Sequence, residues 1–253
     1  MKIVVCVKRV ASLGDDFEFT EGGSDVDGDY VDWALNEWDS YALEEALRLR
    51  DAAGQGEVVV LTAGGKAVEE VLVRGLAMGA DRAVRVRSDF GAATDPLSVA
   101  AALAVALRAE QPGLVLCGAL SSDSGYGAIA AALAGSLDLP CAAAVTRIEF
   151  DPAARAVIVH RELEGGVTDV VDVTIPAVVS LQTGINRPRY VTMRAIQQAQ
   201  DAQISVVALD VMPEPASYVR RMFVPESRNA EMLDGDEAAV ARRIVEIVAG
   251  ALA

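Results

Sequence analysis

Short apolar runs that alternate with helical patterns constrain the fold of this chain more than any other feature. The runs Ile3–Val7, Glu57–Thr62, Ala83–Val86 and Leu114–Cys117 suit buried strands. The segments between and after them predict helices over residues 36–53, 65–79, 95–110 and 128–137. Strands that alternate with helices through short links favour an α/β fold, a doubly wound, mostly parallel sheet with helices on both faces.

Local side-chain patterns predict how some of these helices begin. Asn36 and Asp39 resemble a capping pair, and Glu44 with Arg48 would form an ion pair one turn apart. Asp95 followed by proline predicts another helix start. Residues 11–32 are acidic and glycine-rich, which indicates an exposed excursion that a hairpin would suit.

The second half of the chain changes its pattern. From Ala142 apolar residues alternate with a period of two, which predicts a β-hairpin at about residues 155–176 with a glycine turn. After the strand-like run Ala177–Leu181, an extended arm covers residues 184–200, where Thr192 can cap a short helix. Met193 and Ile196 would share one face of that helix as a small apolar tip that offers little to a core. We expect one domain over residues 1–210, then a linker and a final helix, Asp236–Leu252.

Composition excludes several classes of function. The formal charge is −15 and the apolar fraction is 52%, so a large core is available, and nucleic acid or anionic membrane surfaces are poor partners. Cys6, Cys117 and Cys141 show no paired or metal-binding spacing, and we expect buried, reduced thiols. Apolar runs are too short to span a bilayer, so we expect no membrane insertion. We also expect no signal peptide and a cytoplasmic location.

Three strand ends carry the turn-forming residues that a nucleotide site needs: Cys6–Arg9, Ala63–Gly65 and Gly118–Gly127. Small residues there let backbone N–H groups approach a phosphate at a helix N-terminus. No dinucleotide or P-loop glycine motif is present, so a nucleotide site and plain βα turns both stay open. His160 is the only histidine. We therefore find no catalytic set and no zinc spacing.

A motif in the arm resembles the signature region of the electron transfer flavoprotein beta subunit. It reads Asn186-x-Pro188-Arg189-Tyr190-x-Thr192 and follows Arg161-Glu162-x-x-Gly165-Gly166. Other segments agree in the same order along the chain, and the resemblance covers about residues 1–210. These segments are Val7–Val10, Leu35–Asn36, Leu43–Leu49 and Ala77–Arg82.

The resemblance implies an electron carrier rather than an enzyme with catalytic residues of its own. Electrons would come from flavin dehydrogenases, such as acyl-CoA dehydrogenases in fatty acid oxidation, through FAD held mainly by an alpha subunit. The C-terminal helix would pack on that partner. The resemblance also implies AMP in the cleft. The implied cofactor-binding residues are Cys6, Asn36, Trp38, Asp39, Ala63, Asp123, Ser124, Gly125, Gly127 and Ala130.

The same resemblance assigns partner-binding residues. Arg161 and Glu162 match positions near the mobile flavin domain of the alpha subunit, and Met193 with Ile196 would dock into a dehydrogenase. The arm continues as Gln197–Asp201 where the family usually has lysines, so little electrostatic steering is expected.

Some positions depart from the family. Residues 119–122 lack its usual Lys-Gln pair, and Leu13 replaces an aromatic residue often found near the flavin. A degenerate site or a second FAD therefore stays open. The alternative function is a stand-alone adenine-nucleotide-binding module of the alpha-hydrolase-like fold.

Overall fold

The computed structural model describes residues 1–14, 16–88, 95–211, 213–225 and 232–251. Asp15 of the acidic excursion, residues 212 and 226–231 of the expected linker and Leu252 lie outside this described part. The chain divides into two compact units, Met1–Met222 and Phe223–Ala253. The first unit extends past residue 210. The hydroxyl of Ser98 donates a hydrogen bond to the carbonyl of Glu214, and the N–H of Ala216 donates one to the carboxylate of Asp95.

The elements follow the predicted alternation. The strands are β1 Lys2–Cys6, β2 Arg9–Ser12, β3 Asp32–Leu35, β4 Glu57–Gly64, β5 Arg82–Arg87, β6 Leu114–Gly118, β7 Cys141–Asp151, β8 Ala156–Leu163, β9 Val167–Thr174, β10 Ala177–Leu181 and β11 Ile204–Ala208. The α-helices are α1 Glu37–Ala53, α2 Glu69–Met78, α3 Pro96–Glu110, α4 Ile129–Leu137, α5 Met193–Gln200 and α6 Glu237–Ala251. Helix α6 belongs to the second unit and lies close to its expected range.

Within the described part of the chain, nine strands form one sheet in the order β11-β5-β4-β1-β6-β10-β7-β8-β9. All pairings from β11 to β7 are parallel, whereas β8 pairs antiparallel with both β7 and β9. Strands β2 and β3 form a separate antiparallel pair at the ends of the acidic excursion. The doubly wound, mostly parallel α/β fold is thus confirmed, and the predicted hairpin is part of a three-stranded antiparallel extension.

The central strands are buried on both faces, which explains their continuous apolar runs. On one face Ile3 and Val5 pack with Leu43 and Leu47 of α1 in a cluster that also contains side chains of α2. On the other face Val4 lies in a cluster with side chains of α3 and α4. Helices therefore cover both faces of the parallel sheet.

Two expectations about α1 are wrong. Asn36 occupies the N-cap position, but its side chain makes no capping hydrogen bond. Arg48 forms its ion pair with Glu45, while Glu44 binds Arg189 from the distant arm. Asp95 does cap α3 as predicted, since its carboxylate accepts hydrogen bonds from the N–H groups of Leu97 and Ser98.

The arm and one cysteine also differ from expectation. Ile196 and Ala195 pack against the core and Ala199 is buried, so the arm helix α5 contributes to the core after all. Cys141 is exposed, because it begins β7 close to the surface, whereas Cys6 and Cys117 are buried. Among the described residues, no helix is long and apolar enough to cross a membrane.

Candidate functional site

A cleft opens where the strand order reverses. From β1 the chain builds β4 and β5 on one side, then returns to place β6 on the other. Ligands of open α/β sheets bind at such a point, outside the carboxyl ends of the strands. Here the cleft has a volume of about 400 Å³ and lies between Cys6–Arg9, Thr62–Gly65 and the loop after β6. This size suits a small-molecule ligand.

A buried carboxylate forms the floor of the cleft. Asp39 accepts the N–H of Lys8 through Oδ2 at 2.8 Å and the N–H of Gly118 through Oδ1 at 3.0 Å. A Cβ atom at position 118 would lie 2.5 Å from Asp39 Oδ1, so only glycine permits this approach. Asp39 therefore joins the ends of β1 and β6 to the start of α1.

Burial has the largest effect on the pKa of Asp39. It raises the pKa of Asp39 from 3.8 to about 7, although hydrogen bonds from Lys8, Asn36 and Gly118 oppose the shift. The floor of the cleft thus carries a proton over part of the pH range in which most aspartates are ionised.

The loop after β6 is held by two residues from other elements. Asn36 donates to the carbonyl of Leu120 at 2.8 Å and accepts from the N–H of Ser122 at 3.2 Å. Lys8 Nζ lies 2.7 Å from Asp123 Oδ1 and also reaches two serine hydroxyls. Burial has the largest single effect on the pKa of Asp123 and would raise it, but the hydrogen bonds from Lys8, Ser121 and Ser124 together with the charge of Lys8 lower that pKa below its ordinary value. This wall of the cleft is therefore built before any ligand binds.

Six of the ten expected cofactor residues line the cleft: Cys6, Asn36, Asp39, Ala63, Ser124 and Gly127. The other four do not. Trp38 donates to Gln182 at 2.7 Å, Asp123 holds Lys8, and Gly125 and Ala130 stand next to lining residues. Which ligand these residues bind stays a prediction.

Lys8, Arg9 and Tyr126 also line the cleft and fall within the predicted strand ends, although they were not predicted as cofactor-binding residues, whereas Trp33 was not predicted at all. Lys8 and Arg9 belong to the Val7–Val10 segment, which was one available signal. The guanidinium of Arg9 lies 3.9 Å from the centre of the Trp33 ring, a cation–π contact. Trp33 reaches the cleft only because β3 pairs with β2, which a local pattern does not reveal.

The arm motif serves as an anchor. Arg189 forms two side-chain hydrogen bonds to the carboxylate of Glu44, at 2.8 and 3.1 Å, and its backbone N–H adds a third. Asn186 donates to Glu45 at 2.8 Å and to the carbonyl of Tyr41 at 3.0 Å. Burial would raise the pKa of Glu44, but the bonds from Arg189 hold it below its ordinary value. The arm thus starts from a fixed point on α1.

Beyond this anchor the arm presents apolar side chains to solvent. Tyr190 is 88% exposed and Met193 is 69% exposed. Thr192 caps α5 by accepting the N–H of Ala195 at 3.2 Å, as predicted. Ile196 faces the core instead of joining Met193 at an outer tip.

Arg161 and Glu162, the two predicted partner-binding residues of the hairpin, differ in their contacts. Arg161 pairs across the hairpin with Asp169, which stands opposite it in the register of β8 and β9. Its Nε is buried without a hydrogen-bond partner. Glu162 is exposed, and within the described part of the chain it forms no ion pair. The described residues contain no group of His, Cys, Asp and Glu that could hold a metal ion.

Comparison with known proteins identifies what this chain resembles. A family profile described as "Electron transfer flavoprotein domain" matches residues 26–212. The chain is 40% identical over 258 residues to "Electron transfer flavoprotein subunit beta" of Methylophilus methylotrophus, covering 98% of each chain. It is 30% identical to the protein of the same name from Bacillus subtilis, covering 98% of this chain and 97% of the relative. The mitochondrial beta subunit of Oryza sativa subsp. indica is 33% identical over 92% of this chain and 93% of its own.

Proposed function

Because this chain belongs to the electron transfer flavoprotein family, as a beta subunit, we propose that it works in a heterodimer with an alpha subunit. The alpha subunit would hold most of an FAD, and flavin dehydrogenases such as acyl-CoA dehydrogenases would donate the electrons in the cytoplasm. The arm carries the proposal: Arg189 fixes it to Glu44, and it exposes Tyr190 and Met193. A stand-alone nucleotide-binding module has no use for such an arm.

The FAD would supply the redox chemistry when bound, and the protein would supply position and electrostatics. In this role the chain needs no acid, base or nucleophile of its own. Met193 would be the side chain that docks into a pocket of the dehydrogenase. Glu162, exposed at the hairpin, would meet a cation of the alpha flavin domain.

We expect the flavin content to depend on assembly. Expressed alone, the folded chain should contain little FAD, because its sequence has no dinucleotide-binding glycine motif. Co-expressed with its alpha subunit, it should yield a yellow heterodimer with one FAD. Absorbance spectra with protein quantification measure both ratios. Stoichiometric FAD in the isolated, folded chain would contradict the proposed division of labour.

We propose that the cleft holds AMP. Gly64, Gly65 and Gly127 leave room for the nucleotide beside the strand ends. The N-terminus of α4 would face its phosphate, and positive Lys8 lies at the same wall. The residues therefore fit a nucleoside monophosphate.

Nucleotide released from denatured heterodimer should elute as AMP in chromatography, at about one per complex. A second FAD per heterodimer would instead indicate electron bifurcation, and no nucleotide would mean a degenerate site.

Glu162→Ala should change the kinetics of electron transfer without changing assembly. A single exposed ion pair contributes about 0.2–1 kcal/mol, which corresponds to roughly a 1.4- to 5-fold change in rate. Glu164→Ala, at another exposed acidic position of the hairpin, is the matched control. Loss of the heterodimer on gel filtration for Glu162→Ala alone would show a structural role instead.

A further inference from the structure

The arm differs in charge from the rest of the chain. The protein carries a formal charge of −15, yet residues 184–200 contain three arginines and no acidic residue. Arg189 forms an ion pair with Glu44 of the same chain. Arg187 and Arg194 are exposed, and within the described ranges neither forms an ion pair or a hydrogen bond through its side chain.

The acidic residues at the base of the arm are already engaged. Glu44 binds Arg189, and Glu45 binds Asn186 and Arg48. Both carboxylates are buried. The charges of Arg187 and Arg194 are therefore not neutralised by the base that holds the arm.

These two cations border the exposed apolar residues of the arm. Tyr190 and Met193 lie between Arg187 and Arg194 in sequence, while Val191 is buried and Arg189 is anchored. Seven residues of chain span at most about 25 Å. A standard interface covers about 800 Å² on each partner, so a single partner can contact all four residues.

We propose that Arg187 and Arg194 bind carboxylates at the rim of the pocket that receives Met193. This inference rests on the proposed docking of the arm and adds the chemistry of the partner. Its partner is a flavin dehydrogenase whose apolar docking pocket is bordered by Asp or Glu side chains. Arginine, tyrosine and methionine are among the residues that are enriched in protein–protein interfaces.

The positions of Arg187 and Arg194 change the expectation that this arm provides little electrostatic steering, which was drawn from the polar segment Gln197–Gln200. The cations of this arm flank Met193 instead of following the helix. Charges at an interface rim raise association rates and orient the encounter. The acidic remainder of the protein acts less on this encounter, since charges beyond about 8–10 Å are screened at physiological salt.

The test uses the FAD-containing heterodimer and a purified acyl-CoA dehydrogenase reduced by its acyl-CoA substrate. The variant is Arg187→Gln/Arg194→Gln. The control is Arg155→Glu, which lowers the net charge by the same amount at an exposed turn between β7 and β8. At low ionic strength the double variant should transfer electrons roughly 3- to 10-fold more slowly than wild type. The control should match wild type.

Salt provides the second readout. The wild-type rate should fall as salt rises, and its advantage over the double variant should vanish near about 0.5 M salt, where screening is nearly complete. Equal rates for the double variant and wild type at low salt would overturn the inference. An equal loss in the Arg155→Glu control would overturn it too, because net charge would then be the cause.

Two further results separate this inference from the proposed function. If Met193→Ala slows transfer while the arginine variant behaves as wild type, only the acidic rim is wrong. If wild type accepts no electrons from the dehydrogenase, or Met193→Ala has no effect, the docking proposal itself fails. Arginine-dependent binding of the heterodimer to phosphatidylserine vesicles, with unchanged transfer rates, would assign these cations to a lipid surface and overturn the inference.

Discussion

Met193→Ala should slow electron transfer from the cognate dehydrogenase by roughly 10-fold or more. Met193 is 69% exposed, so its side chain contributes little to the fold and is free to enter a partner's pocket. Because its thioether side chain is flexible, Met193 can adapt to the docking pockets of several partners. A buried anchor of this kind contributes about 2–4 kcal/mol when it is a hot spot, and each 1.4 kcal/mol corresponds to about a tenfold change.

The effect should be confined to docking. FAD content and direct reduction by dithionite should be unchanged in Met193→Ala. Leu97→Ala is the matched control, because Leu97 is also large, apolar and 57% exposed but lies on α3. Stopped-flow rates at subsaturating dehydrogenase measure the difference. If Met193→Ala transfers electrons at the wild-type rate under these conditions, the arm is not the docking element.

Asp39→Ala should destabilise the fold more than any surface substitution. It leaves the N–H groups of Lys8 and Gly118 without their acceptor in a buried place. An unsatisfied buried donor costs about 1–3 kcal/mol, so the loss of the acceptor for two donors near pH 5 should be about 2–6 kcal/mol. Glu37→Ala is the control, since Glu37 is an exposed acid in the same first turn of α1. Urea unfolding of each variant gives the free energies.

The loss should depend on pH with a definite sign. The pKa of Asp39 is about 7 in the folded protein and 3.8 ordinarily. Its contribution is therefore complete below about pH 3.8 and is lost as pH rises through 7. The free-energy gap between wild type and Asp39→Ala should be larger at pH 5 than at pH 8. A gap that grows between pH 5 and pH 8 would show that Asp39 is stabilised as a carboxylate instead.

Features set by local periodicity could be predicted from the sequence. The central strands were recognisable because burial on both faces makes them continuous apolar runs. The start of α3 was recognisable because Asp95 caps its own helix, a contact between neighbours in sequence. The arm could be located for a similar reason, since Gly184 and Pro188 interrupt the pattern around them.

Contacts between distant segments could not be predicted. Asn36 and Asp39 looked like a cap because a local pattern compares only neighbours. Their side chains instead bind backbone groups just after β1, at the end of β6 and in the loop after β6. The carboxylate of Glu44 meets Arg189 across 145 residues of sequence. Ile196 looked like an outer tip because helical spacing shows which residues share a face, but not where the core lies.

The most direct test of the central claim is the visible spectrum of the anaerobic heterodimer during reduction by a dehydrogenase. The purified complex with its alpha subunit should be yellow. It should lose its flavin absorbance within the time of a few turnovers when an acyl-CoA dehydrogenase and its acyl-CoA substrate are added together, but not when either is added alone. A complex that contains FAD yet keeps its absorbance with every flavin dehydrogenase supplied would contradict the account.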